Sequence, residues 1–488
     1  MDLALTTHQR ELVAAVGDRV AGVDSHRWDE VTASPPGYDT GLWAGLQAAG
    51  LLAPVLPEPR GAGRGGVPGA GDTSPTDPGD RVDHVGGGGP GGTYGTGAAA
   101  RSSVTPTGLG SSTGSDAPIG SGTSRVAPLG DSARPAPGHG WVGSVLDLVL
   151  VVEQLGRGPV PSPVHNGLVL AGGLLAAGGD GAESGWLTAL TAGRRFACCL
   201  ANPGAAGDGV LGGDLATASA LDATGAPSGP VGRSDGGPDG GLTPGLVARV
   251  ADGGWVIDGT APYVPYASSA DVLLVVARTV TEHGDGGVGA TLFAIPASSP
   301  GVSLTPVPTL GVDHQAHVRF TSVPVRLDGV VGRPGTACQR LSLVLDVSRV
   351  VLAAEMVGAA AAALDHAVRW AVDRQQFGVP VGSFQAVQHH LADALIDVTT
   401  ARDAVYDAAS TLDRGDEAAV VVAGAKAYVN ETCRRVTAAA HQVCGGEGIF
   451  ADQPVHRWHR RVAALVPVLG TTRGHRAVVA ASLLERRP

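Results

Sequence analysis

Two stretches in the C-terminal third of the sequence combine residue types that can hold an anionic, planar ligand. The first is RQQFGVPVGSFQ, which runs from Arg374 to Gln385, and the second is HQVCGGEGIF at 441–450. The guanidinium of Arg374 offers a fork of N–H donors for phosphate oxygens, and Gly445 and Gly446 let a ligand approach the backbone closely. We therefore expect these stretches to form a cradle for a phosphate-bearing ligand.

Each feature taken alone has a structural explanation. Arg374 can interact with the C-terminus of a helix, and a pair of glycines can end one. The combined spacing, R-x-x-F-G followed by F-Q and then by Q-x-x-G-G-x-G, favours a binding site instead.

Helical periodicity surrounds both stretches and predicts the elements that position them. Between 336 and 488 the apolar residues recur at helical spacing, which predicts a helical-bundle domain. One predicted face holds Leu352, Met356, Ala360, Leu364, Ala367 and Ala371, and the next helix holds Val387, Leu391, Leu395, Val398 and Val405.

The segment 194–335 shows the pattern of a middle β-domain, a small barrel or sandwich. Its short β-rich runs are bounded by Gly, Pro or Asp. They are Phe196–Leu200, Leu246–Val250, Gly254–Asp258, Asp271–Arg278, Ala290–Ile295 and Ala316–Phe320. A Gly/Ser/Asp-rich insertion at about 204–243 is predicted to be disordered.

The N-terminal part is predicted to be a helical domain in two pieces, 1–62 and 141–193. Thr6 offers an N-cap to the first helix, an apolar helix is expected to stop at Gly156, and another is expected across Leu168–Ala177. The intervening segment 63–140 is rich in Gly, Ser and Pro, with too little apolar surface to offset its ordering entropy, so we predict a disordered insertion. The predicted fold class is α+β.

Composition limits the partners. The 488 residues carry a net charge of −11, which argues against nucleic acid, and the five cysteines lack the spacing of a disulfide framework or a zinc site. The N-terminal charges do not fit a signal peptide, and the apolar run Val350–Leu364 is interrupted by Glu355 and is short for a membrane span. We expect a soluble cytoplasmic protein without a membrane anchor, and Lys426 is its only lysine.

The two C-terminal stretches and the helix, strand, helix order resemble the acyl-CoA dehydrogenase flavoprotein family. Pro57–Glu58 with Gly61, and Glu153–Gly156, also match the family pattern. The resemblance implies a middle β-barrel domain, a C-terminal four-helix bundle, the cofactor FAD, an acyl-CoA substrate and an electron-transfer acceptor. It also implies a cofactor-binding set in which the Arg, Phe and Gln side chains reach the FAD of a neighbouring subunit: Arg374, Phe377, Gln385, Gln442, Gly445, Gly446 and Thr471.

The catalytic base of the family has no counterpart at its usual place. Relatives carry a Glu before a Gly-Thr pair, where this sequence has Leu469, and the alternative position on the first helix of the domain is Ser348. Glu355 lies two helical turns beyond Ser348 and is the nearby carboxylate that can replace the base. It can equally be a paired structural carboxylate.

The segments that meet the flavin ring in relatives also differ here. Ala201–Asp208 lacks the hydroxyl side chains of the family loop, and Tyr263–Val264–Pro265 has proline where relatives have Thr or Ser. We predict no metal site, because no carboxylate or cysteine completes a ligand set around the histidine pairs at 389–390 and 456–459. The basic run 457–461 is predicted to lie at a subunit interface.

Three hypotheses follow. The pattern favours the base-lacking subunit of a heteromeric enzyme, paired with a homologous acyl-CoA dehydrogenase subunit in a heterotetramer. The second hypothesis is a self-sufficient homotetrameric dehydrogenase with Glu355 as its displaced base. The third is a flavin-dependent monooxygenase of the same fold.

Overall fold

The computed structural model describes residues 5–23, 27–33, 36–49, 52, 144–158, 161–176, 183–200, 246–251, 253–280, 288–311 and 313–485. The two predicted insertions, the loop at 201–208 and the Pro57–Gly61 segment lie outside the described residues. The described part is mixed helix and sheet with a C-terminal helical bundle, which confirms the predicted fold class.

Helices make up the N-terminal part of the described chain. They are α1 (Thr7–Ala21), α2 (Arg27–Ala33), α3 (Thr40–Ala48), α4 (Val145–Arg157), a π-helix (Val164–Leu170) that continues into α5 (Ala171–Ala176), and α6 (Glu183–Thr191). Thr6 caps α1 as predicted, because its side chain accepts from the Gln9 backbone while the Gln9 side chain accepts from the Thr6 backbone.

The described strands of the middle part form one sheet. They are β1 (Phe196–Leu200), β2 (Leu246–Ala251), β3 (Gly254–Pro265), β4 (Val272–Val280), β5 (Val288–Pro296), β6 (Val302–Val307), β7 (Gln315–Arg326) and β8 (Val330–Val331). Their order is β6-β7-β3-β2-β4-β5-β8, with β1 parallel to β4. The sequence pattern missed β6, whose side chains are half-buried or exposed, and shortened β3 and β7.

Both faces of β1, β4 and β5 are buried, which explains their continuous apolar runs. In β4, Leu273 and Val275 point into the core of the β-domain, whereas Val272 and Leu274 pack against the helices. The sheet therefore joins the two cores instead of facing water on one side.

The C-terminal part consists of α7 (Ala337–Asp373), a hairpin of β9 (Gln375–Gln376) and β10 (Val379–Pro380), α8 (Gln385–Asp413), α9 (Ala419–Cys444), α10 (Val455–Leu465) and α11 (Thr472–Glu485). At 37 residues α7 is about 55 Å long and packs against α4, α8, α9 and α10. The helix is apolar and long enough to cross a membrane by composition, but its most apolar window is entirely buried inside the protein. It is the core helix of the bundle.

Two positions differ from the predicted helix pattern. Gly156 does not stop α4 but lies inside it, and Leu395 on α8 is exposed together with Ile396. Gly156 faces the Glu355 carbonyl of α7, while Gly358 of α7 faces the Glu153 carbonyl of α4. The absence of a Cβ at both positions lets the two helices touch backbone to backbone.

We expect Gly358→Ala to lower the free energy of unfolding by about 1–3 kcal/mol, because its methyl group would collide with the Glu153 carbonyl and force α4 away from α7. Gly424→Ala on α9 is the matched control, since a Cβ there would lie 4.0 Å from the nearest atom, Val479 Cγ2. The control should be neutral or stabilising by up to about 1 kcal/mol. Urea denaturation of both variants measures the difference, and equal effects would contradict the close contact.

Candidate functional site

The hairpin between α7 and α8 presents two of the predicted binding residues. The Arg374 backbone is fixed, because its N–H donates to Trp370 O at 2.9 Å and its carbonyl accepts from Val381 N at 2.8 Å. Phe377 stands at the tip with a left-handed φ of 55°, and its side chain is 94% exposed. A phenylalanine in this conformation is strained, and the adjoining hairpin pairs hold it there.

The end of α9 lies beside this hairpin. An ion pair joins Arg374 Nη2 to Glu447 Oε1 at 2.7 Å, and Glu447 belongs to the 3₁₀ turn Gly445–Ile449 that ends α9. Gly445 has φ 61°, ψ −145°, a conformation that requires glycine. The structure therefore brings the two predicted stretches together.

Gln385 and Gln442 complete this exposed region. Gln385 is the first residue of α8 and follows Phe384, whose ring meets the Phe377 ring edge-on at 6.2 Å between centroids. Both glutamines are exposed to solvent. We refer to the six residues Arg374, Phe377, Gln385, Gln442, Gly445 and Gly446 as the Arg374 surface. It offers a guanidinium, an exposed ring and open backbone, groups that can contact a diphosphate and a planar base such as those of FAD.

Thr471 directly precedes α11. Its hydroxyl accepts from Gly474 N at 3.2 Å and so caps α11. Along the chain, α10 and the short segments on either side of it lie between the Gly445–Ile449 turn and Thr471. The role of this seventh predicted residue in cofactor binding stays a prediction.

The turn at the usual base position is closed, meaning that its side chain is buried. Leu469 is 1% exposed, has a left-handed φ of 57°, and its carbonyl accepts from Arg349 Nε at 3.1 Å. Ser348, the alternative position, is fully buried, and its hydroxyl has no hydrogen-bond partner among the described residues. Neither side chain can take a proton from a substrate carbon.

Glu355 belongs to a buried ion cluster. Its Oε1 accepts from Arg461 Nε at 2.8 Å and from Nη2, while Arg461 Nη1 pairs with Asp313, which also accepts from the Tyr266 hydroxyl at 3.3 Å. Burial raises the pKa of Glu355 although Arg461 opposes this, and the carboxylates of Asp313 and Glu355 raise the pKa of Arg461 against the effect of its own burial. One guanidinium thus serves two buried carboxylates.

This cluster corrects the prediction for the basic run 457–461. Arg457, Trp458 and Arg461 face inward and are buried, whereas the intervening side chains are half-buried. The sequence contains a pattern that predicts this burial, because the three residues share one face of α10 with Val462 and Leu465 at helical spacing.

A second buried polar group surrounds Lys426. Its Nζ donates to Asn430 Oδ1 at 2.5 Å and to the Leu465 and Val466 carbonyls at 3.4 Å, at the C-terminal end of α10. Burial, with a smaller contribution from Arg349, lowers the pKa of Lys426 to about 7. The lysine caps α10 and so fixes the start of the turn that carries Leu469.

The β-domain position of the flavin-ring contact also lacks a hydroxyl. Tyr263 has φ 53°, its N–H donates to His317 Nδ1 at 3.3 Å, and Pro265 supplies no hydroxyl or N–H. Within the described residues, Pro265 thus brings no donor to the position where the resemblance implies a flavin-ring contact.

Other polar and concave features lie apart from the Arg374 surface. No group of three or more His, Cys, Asp or Glu side chains among the described residues is placed to hold a metal ion. A pocket of about 70 Å³ lies near α3 and β1 and is lined by Tyr38, Trp43, Phe196 and Tyr266 among others, but by none of the predicted cofactor residues.

We expect Arg461→Met to lower the free energy of unfolding by about 3–5 kcal/mol, because Glu355 and Asp313 would remain buried without a countercharge. Glu355→Gln should cost less, about 1–2 kcal/mol, since the amide oxygen still accepts from Arg461. The exposed Arg414→Met is the matched control in urea denaturation. A loss no larger than in this control would contradict the cluster's structural role.

Stability should rise with pH in a way that depends on Lys426. The folded-state pKa of about 7 lies below the ordinary 10.5, so the unfolded chain binds more protons between these values and a higher pH favours the folded state. Relative to Lys426→Met, the wild-type free energy of unfolding should increase by about 1–2 kcal/mol from pH 7 to pH 9. If the free energy of unfolding changes with pH in the same way in both proteins, the lowered pKa of Lys426 in the folded state is contradicted.

Comparison with known proteins points to one family. Residues 339–484 match the family model "Acyl-CoA dehydrogenase, C-terminal domain". The probable acyl-CoA dehydrogenase FadE25 of Mycobacterium tuberculosis is 31% identical over 240 residues, which are 48% of this chain and 61% of that relative. The human mitochondrial short-chain specific acyl-CoA dehydrogenase is 27% identical over 348 residues, covering 70% of this chain and 76% of the relative.

A solved structure agrees with these relatives in fold. The ChsE4-ChsE5 complex from Mycobacterium tuberculosis contains a chain that superimposes with a TM-score of 0.68 at 24% identity, with both chains covered completely. This chain spans 61% of the length of the first curated relatives that it matches. These comparisons support a member of the acyl-CoA dehydrogenase family, most directly for residues 339–484.

Proposed function

We propose that this chain is the base-lacking subunit of a heteromeric acyl-CoA dehydrogenase that introduces an α,β double bond into an acyl-CoA thioester. Acyl-CoA dehydrogenases are FAD-dependent oxidoreductases that act on CH–CH bonds. The observation that carries the proposal is the contrast between the open Arg374 surface and the closed turn at Leu469.

The Arg374 surface is suited to a ligand that another chain holds. FAD supplies the redox chemistry of the family when bound, by accepting the hydride from the β-carbon. The part we assign to this chain is to bind and orient: Arg374 donates to diphosphate oxygens, the exposed Phe377 ring packs on a planar base, and the glycines let the ligand approach. Six exposed residues on one surface support this role.

The interior of the chain supports the second half of the proposal. A buried leucine stands at the usual base position, and Pro265 stands where a flavin-ring contact is expected. Removal of an α-proton needs a positioned base with an accessible lone pair. We therefore assign that proton transfer to a carboxylate of the partner subunit.

Exposed apolar side chains support assembly with another subunit. In the described β-domain, Val250, Leu310 and Leu327 are the exposed large apolar residues, whereas the C-terminal bundle has many more. The exposed apolar residues of the bundle lie on the end of α7, on the hairpin, on α8 and α9, and on the turn after α9. The main ones are Val372, Phe377, Val379, Phe384, Leu395, Ile396, Tyr428, Ile449 and Phe450.

The proposed partner is a homologous subunit of the same family, in a heterotetramer. One of the solved structures that share this fold is a complex of two components, ChsE4 and ChsE5, which supports a heteromeric arrangement. Self-association into a homotetramer is the alternative assembly. We propose a cytoplasmic enzyme that passes its electrons to a separate electron-transfer acceptor.

The self-sufficient dehydrogenase remains the second candidate because burial raises the pKa of Glu355, as a catalytic base requires. Its Oε1, however, is already held by two N–H groups of Arg461. If Glu355 is the base, the chain alone turns over an acyl-CoA and Glu355→Gln removes this turnover. Absence of turnover by the wild-type chain alone, or unchanged turnover in the variant, discards the assignment.

The proposal predicts the colour of the protein. Expressed alone, the chain should lack bound flavin, and co-expression with a homologous subunit that keeps the Glu-Gly-Thr turn should give a yellow complex that bleaches with an acyl-CoA. Visible absorbance and flavin content per chain measure this. A yellow protein that is reduced by acyl-CoA without any partner would contradict the base-lacking role.

Arg374→Gln should weaken flavin retention by the co-expressed complex about tenfold, because the charged donors to the diphosphate are lost. Arg414→Gln, which removes an exposed arginine between α8 and α9, is the control and should retain flavin as the wild type does. Equal flavin content in all three complexes would argue against a role for the Arg374 surface.

A further inference from the structure

We propose that Glu447 sets the affinity of the Arg374 surface for diphosphates by competing for the Arg374 guanidinium. The inference rests on the proposed function, in which this surface binds the diphosphate of FAD held by another subunit. Glu447 would be a specificity-determining residue in that interaction.

The ion pair joins two exposed side chains on fixed backbones. Arg374 is held by backbone hydrogen bonds to Trp370 and Val381, and the Glu447 carbonyl accepts from Phe450 N at 3.1 Å within the turn that ends α9. The side chains of Arg374 and Glu447 are 43% and 38% exposed, so the 2.7 Å contact lies at the surface. The Arg374 guanidinium also lies over the Trp370 ring, so displacement of the pair requires only that the Glu447 side chain turn into water.

A carboxylate and a diphosphate require the same N–H donors. Glu447 occupies Nη2 of Arg374, and a diphosphate brought to this guanidinium would meet a like charge within a few ångströms. A diphosphate that binds here must therefore displace Glu447 from Arg374, or it must lie beside the negative charge of Glu447 and be repelled by it. Because an exposed ion pair contributes little free energy, displacement is readily reversible.

This arrangement distinguishes a presented ligand from a free one. A nucleoside diphosphate free in solution displaces Glu447 only when its own concentration is high enough. A cofactor fixed in an adjacent subunit is presented to Arg374 at a high effective concentration. The Arg374–Glu447 pair therefore disfavours capture of free nucleotides and still allows contact in the assembled enzyme.

The test uses ADP as the probe and the full chain, titrated by calorimetry. Glu447→Gln should bind ADP about three- to tenfold more tightly than the wild type, because both the competing acceptor and the like charge are removed. Asp452→Asn is the matched control, since it removes one exposed negative charge just after the same turn, and it should stay within about twofold of the wild type. The double variant Glu447→Gln with Arg374→Gln should lose the gain.

The outcomes separate the two proposals. If Arg374→Gln weakens ADP binding while Glu447→Gln binds like Asp452→Asn, the competition is overturned and the proposed role of Arg374 stands. If Arg374→Gln binds ADP as tightly as the wild type, the role of Arg374 in the proposed function fails. Absence of ADP binding by Glu447→Gln also overturns the competition.

Discussion

One buried guanidinium determines how the parts of this protein fit together. Arg461 on α10 contacts Glu355 on α7 and Asp313 ahead of β7, so a single side chain ties the bundle both to its own core helix and to the β-domain. Because removal of a buried charge partner is far more costly than a surface change, this junction tolerates little variation. The close backbone contact of α4 with α7, at Gly156 and Gly358, holds α7 in place near Glu355.

The structure divides its polar groups into two sets with opposite tasks. The inward set, around Arg461 and Lys426, makes internal hydrogen bonds and ion pairs, and Leu469 is buried beside it. The outward set, on the Arg374 surface, has fixed backbones and exposed side chains. A buried, internally paired interior and an exposed contact surface fit the proposed role of a subunit whose chemistry occurs in its neighbour.

Local patterns carried the predictions that succeeded, and long-range pairings account for those that did not. The Thr6 cap, the β1 strand and the buried face of α7 depend on neighbours a few residues apart, so spacing predicts them. The Arg461 partners are 106 and 148 residues away, and nothing in the local sequence links them. Gly156 was mistaken for a helix stop because a glycine that permits helix contact looks identical in sequence to one that ends a helix. The exposure of Leu395 likewise depends on packing that helical spacing cannot reveal.

The burial of the chain's only lysine has a chemical consequence. Acyl thioesters react with unprotonated amines to form amides, so proteins that work beside them risk acylation of their own lysines. Here Lys426 is 1% exposed, and every other basic side chain apart from histidine is an arginine, whose guanidinium stays protonated. The folded polypeptide consequently offers no lysine amine to a reactive thioester.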